Sequence, residues 1–194
     1  KRLEKAIQTA KSSSLFDNVD FDVRWRPFEL NPDLPSGKGV DKMGYYNSRF
    51  GPETVRSMLP HMIQTGASEG IKFSYGGSIG NTFDSHRLIW KSRDEGGAEL
   101  QNKVVDAVFK AYFEEEKSLG ENSVLEECAK NAGMDVTDLL EDKSIGNMEV
   151  SHEMKDFKTK YRCNGVPFFI IDGKHTLSGA QPPDEFLAIF EELV

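Results

Sequence analysis

The sequence predicts an α/β fold in which a large helical block interrupts a small framework of helix and strand. Three observations carry that reading. One helical and one period-2 pattern occupy the first forty or so residues. Residues 41–159 keep helical spacing almost throughout, and residues 160–194 turn to a β-hairpin and a closing helix. The expected domains are therefore 1–40 with 160–194 as the framework and 41–159 as a helical insertion.

Taken in order, Leu3, Ala6, Ile7 and Ala10 recur at helical spacing, so Lys1 to Ser13 is expected as an amphipathic helix. Val19, Phe21, Val23 and Trp25 alternate with Asp20, Asp22, Arg24 and Arg26, the period of a strand with one polar face. Pro27 removes a ladder donor and closes that strand. Asn31 to Gly39 is a loop by composition. Pro52 opens a helix to Glu69, with Met58 and Met62 read as core. Ser85–Arg93, Ala98–Glu116 and Ser123–Ala132 read as three further helices, with Glu114–Glu116 as a solvated face. Ser123 with Glu126 and Glu127 resembles a capping box, and Gly120 and Gly133 suit helix ends. Val136–Leu140 and Met148–Tyr161 are two more helices. Val166–Ile171 is a short apolar run of strand formers, Asp172-Gly173 a hairpin turn and Lys174–Gly179 the partner strand. Pro182-Pro183 opens the last helix, with Phe186, Leu187, Ile189, Phe190 and Leu193 as its apolar positions.

Composition narrows the function classes. A chain of 194 residues buries enough surface for a core without staples. Thirteen Phe, five Tyr and two Trp exclude a disordered chain. A net charge of −8 offers no footprint for nucleic-acid phosphates, so that partner class is set aside. No apolar run is long enough for a membrane span, and no membrane partner is expected. Cys128 and Cys163 are too few for a disulfide scaffold and fit no metal spacing, so no metal is expected; as free thiols they favour a reducing, cytoplasmic compartment. The Gly76-Gly77-x-x-Gly80 loop lacks the lysine of a phosphate cradle. The chain opens at Lys1 without Met, and its hairpin needs a sheet, so a first strand and an active-site turn are expected N-terminal of Lys1. A sheet edge left open there predicts shielding or pairing between copies, as in a homodimer.

The block Gly165-Val166-Pro167-Phe168-Phe169-Ile170-Ile171-Asp172-Gly173, followed by Leu177-Ser178-Gly179-Ala180-Gln181-Pro182, resembles the C-terminal half of DsbA-like thioredoxin-superfamily proteins. Asn81-Thr82 with Ser85-His86-Arg87-Leu88, and Trp25-Arg26-Pro27-Phe28 with Leu30-Asn31-Pro32, resemble the FrnE-like subgroup. The resemblance implies a thioredoxin-like fold with a helical insertion. It also implies thiol–disulfide exchange through a Cys-x-x-Cys pair just before Lys1, so no catalytic residue lies among those printed. Neither cysteine of this chain has that setting: Cys128 lies mid-helix among acidic neighbours, and Cys163 sits at a helix end, a candidate auxiliary thiol. By the same resemblance Pro167 is cis, and the Val166 backbone pairs with an extended thiol or disulfide protein substrate. Asn81, His86, Pro27 and Phe28 are the other candidate substrate contacts, with His86 titrating near neutral pH and Asn81 capping a helix. No cofactor is implied. The alternatives are a glutathione-dependent kappa-class transferase or 2-hydroxychromene-2-carboxylate isomerase, with glutathione as co-substrate, and a cysteine-less peptide-binding module.

Overall fold

In α1 (Arg2–Lys11) the small residues Ala6 and Ala10 are fully buried, and they let the C-terminal helix α8 (Pro183–Glu192) pack close. A computed structural model describes Lys1–Val194 and divides the chain into two units: Lys1–Val23 with Asp156–Val194, and Arg24–Lys155.

In the first unit β3 (Phe168–Ile171) and β4 (His175–Ser178) form an antiparallel hairpin in the register Phe168↔Ser178 to Ile171↔His175. Both Asp172 and Gly173 have positive φ, +50° and +68°, the geometry that an Asp-Gly turn supplies. Strand alternation turns Phe169, Ile171 and Leu177 onto a core of Ala6, Ala10, Phe16, Phe186 and Phe190. Rings pack edge to face there: Phe169 lies 4.8 Å from Phe186, and Phe21 lies 5.0 Å from Phe190.

The second unit is helical: α2 (Lys42–Phe50), α3 (Pro52–Ser68), α4 (Phe83–Phe113), α5 (Asn122–Ala132), α6 (Thr137–Glu141) and most of α7 (Asn147–Tyr161). Two short strands, β1 (Val40–Asp41) and β2 (Ser78–Ile79), pair antiparallel at the base of α2. An aliphatic core gathers Leu88, Val104, Val108, Leu125, Leu139 and their neighbours from α4, α5 and α6. The two helices expected over 85–93 and 98–116 are one element broken at Gly96 and Gly97, where Gly97 takes φ +64°, a conformation L side chains rarely adopt.

Several expectations are corrected. Val19–Arg26 keeps its in-out alternation, but the segment is not a strand of either two-stranded sheet. The Gln101 side-chain amide takes the place of a neighbouring strand: its Oε1 accepts from the Trp25 N–H at 3.0 Å and its Nε2 donates to the Trp25 carbonyl at 3.1 Å. Residues 24–40 group with the helical unit, where the expected framework ran over 1–40. Met58 and Met62 are half-buried, because α3 packs mainly on α2 and buries only Val55 and Gly66. The helix carrying Glu114–Glu116 stops at Phe113, and Glu116 accepts from Ser74 and from the Gly76 N–H instead of lining a helix face. No side-chain cap forms at the start of α5, so Ser123 makes no capping box. No helix is long and apolar enough to cross a membrane.

Candidate functional site

The sequence-predicted residues fall into two groups, one in each unit, and each group has its own geometry. In the first unit α7 ends at Tyr161 and the chain reaches β3 through Arg162–Pro167. The Val166–Pro167 peptide bond is cis. The Gly179 N–H donates to the Pro167 carbonyl at 2.9 Å, so the hairpin ladder is closed as far as Pro167. Beyond it Val166 stands 47% exposed, and its backbone N–H and C=O bond to nothing within the chain. Cys163 shares this loop but points inward, buried, with its Sγ donating to the Gly165 carbonyl at 3.5 Å.

In the second unit Pro27, Phe28, Asn81 and His86 come together where the 27–34 loop meets the start of α4. The Phe28 carbonyl accepts from His86 Nε2 at 3.1 Å, which places the proton of the neutral ring on that nitrogen. Burial pushes the imidazole down from 6.5 to about 4, against the raising influence of the Phe28 carbonyl. His86 is therefore neutral near pH 7 and does not titrate there, contrary to expectation. Asn81 Oδ1 accepts from the Phe83 N–H at 2.8 Å and its Nδ2 donates to the Pro32 carbonyl at 2.9 Å, so it serves the first turn of α4 and clamps the loop at once. Ser85 is buried and donates to the Thr82 carbonyl.

A pocket of about 120 Å³ lies beside this group. Pro27 and His86 line it with Trp25, Trp90 and Gln101, and the 2.7 Å ion pair Arg26–Glu153 also faces it. Trp25 Nε1 donates to Asn102 Oδ1 at 2.7 Å, which fixes the indole. No group of three His, Cys, Asp or Glu side chains is placed to hold a metal ion.

Neither thiol of the chain is set up as a nucleophile. Both cysteines are unpaired and buried. Burial, with Glu127 adding to it, pushes the Cys128 thiol up to about 11. What the hairpin unit does offer is an unpaired backbone edge next to Pro167.

The chain matches the DSBA-like thioredoxin domain family over residues 1–191. It belongs to that family. It is 28% identical over 121 residues to the thiol:disulfide interchange protein DsbA of Pseudomonas syringae pv. tomato, a match covering 60% of this chain and 55% of that protein. The matched region thus spans just over half the length of that curated relative. A crystal structure of a probable DsbA oxidoreductase from Streptomyces coelicolor superposes with a TM-score of 0.84 at 27% identity, covering 98% of this chain and 81% of the other. The fold of this DSBA-like domain is accordingly thioredoxin-like, mostly helical with a few short strands.

Sequence reasoning missed part of the helical-unit pocket. Trp25 stood out by its alternation, but Gln101 gave no signal, since a mid-helix glutamine reads as surface until a backbone segment lies against it. Glu29 was also missed. One of its carboxyl oxygens is buried without a partner, and burial raises its carboxyl above the usual range, with the Asn81 side chain opposing.

Proposed function

We propose that this DSBA-like domain holds an extended polypeptide for thiol–disulfide exchange, in the manner of the FrnE-like subgroup. The exchanging sulfurs belong to a Cys-x-x-Cys pair expected just N-terminal of Lys1. The observation that carries this reading is the unpaired Val166 backbone at the mouth of the hairpin, on a chain whose whole length matches the family. An added strand there gains main-chain hydrogen bonds without disturbing the ladder that already closes on Pro167. The properties of the two thiols support a nucleophile from outside 1–194. Cys128 is held as the thiol and Cys163 is turned inward, so neither supplies an accessible thiolate. In the exchange, a thiolate attacks one sulfur of the substrate disulfide, a mixed disulfide forms, and the other substrate sulfur leaves as thiolate. The second cysteine of the pair then displaces the substrate and closes the enzyme disulfide. Two free thiols are in keeping with a reducing compartment such as the cytoplasm.

The test is a disulfide-exchange assay on the protein with its natural upstream residues, using a fluorescent peptide disulfide. Exchange is expected to survive Cys128→Ser and Cys163→Ser, and to vanish when the upstream pair is changed to serine. Exchange that follows Cys163, or that persists without any upstream cysteine, overturns the proposal.

A further inference from the structure

We propose that the loop preceding β3 selects peptides that carry carboxylates beside their cysteine, through Lys158, Lys160 and Arg162. This rests on the docking of substrate along Val166 and names the class of substrate docked there. From Phe157 to Ile171 the chain holds these three cations and no Asp or Glu, in a protein whose net charge is −8. All three are exposed. Lys158 and Arg162 make no ion pair within the chain, and Lys160 holds its ammonium 5.0 Å over the Tyr161 ring.

A basic last turn also complements the helix dipole, which accounts for Lys158 and Lys160 at the end of α7. It does not account for Arg162. This residue lies one position past the helix with φ +52°, a conformation that Gly or Asn adopts at lower cost. Arg162 thus stands four residues before Val166, a separation of at most about 14 Å along the chain. A peptide strand paired on Val166 brings its neighbouring side chains within that range. The guanidinium fork matches a carboxylate in shape as well as charge, and an uncompensated cationic rim repels basic peptides.

The test measures binding of three fluorescent nonapeptides to the protein with its natural upstream residues, each peptide with serine in place of its central cysteine and Glu, Gln or Lys on both sides of it. At about 50 mM salt the Glu peptide is expected to bind about tenfold tighter than the Gln peptide, and the Lys peptide weaker still, with the spread collapsing at about 500 mM. The triple change Lys158→Glu, Lys160→Glu, Arg162→Glu is expected to reverse the order. The single change Arg162→Gln, at an exposed position, is expected to remove most of the preference for Glu while leaving Gln-peptide affinity unchanged. Equal affinities of the unaltered protein for all three peptides overturn the charge selectivity and leave the docking reading standing. Failure of every peptide to bind overturns both.

Discussion

The helical unit and the hairpin unit solve the same packing problem in opposite ways. In the helical unit the buried cation Arg87 is held by four hydrogen bonds. Arg87 is wholly buried in α4, and its guanidinium donates to Asp84 and to the carbonyls of Leu139, Asp142 and Ile145. One side chain thus caps α6 and holds the turn that follows it. In the hairpin unit the core is five buried residues, three of them Phe, and the strand leading out of it leaves backbone groups unpaired at Val166. The difference bears on where a polypeptide could dock. Main-chain groups left open are the ones to which another chain can add.

Three changes sharpen or break that contrast, from the largest expected effect down. Arg87→Met removes the donor shared by three carbonyls, that of the buried Leu139 among them, so it is expected to cost about 4 kcal/mol in urea unfolding. A cost below about 1 kcal/mol would mean that the α6 turn rearranges freely and the helical unit is less enclosed than its hydrogen bonds indicate. Phe186→Ala empties the centre of the five-residue core, where the ring packs edge to face on Phe169, and is expected to cost about 3 kcal/mol. Amide exchange should locate the loss in α1, α8 and the hairpin; protection lost first from α4 and α5 would contradict the separation of the two cores.

The third change is pH. His86 takes up a proton near 6.5 when unfolded but only near 4 when folded. Stability from this group is therefore complete above about pH 6.5 and falls as acid is added toward pH 4, because the unfolded chain binds the proton first. A loss of about 3 kcal/mol over that window is expected, and His86→Gln should flatten it. An imidazole that titrates near 6.5 in the folded protein, read by NMR, would show that His86 is not desolvated beside the Phe28 carbonyl.

Much of this was legible in residues. The spacing of Leu3, Ala6, Ile7 and Ala10 gave α1, Asp172-Gly173 gave the hairpin turn, and Pro182-Pro183 gave the start of α8, because each is a local choice of backbone conformation. The block from Gly165 to Pro182 carried the family as well. The candidate site was legible in part. Val166 and Pro167 could be named, and so could Pro27, Phe28, Asn81 and His86, but their partners could not.

Tertiary structure alone decided the rest. Val19–Trp25 has the alternation of a strand in its sequence, yet alternation says only which faces are wet, and a ladder needs a neighbour that no local pattern supplies. Here Gln101, far along the chain, answers the Trp25 backbone with a side chain. The neutrality of His86 was likewise settled by burial, not by residue type. Periodicity and turn chemistry fix what a segment does by itself; pairing and protonation depend on which distant atoms come within 3 Å or so, and only the folded chain determines that.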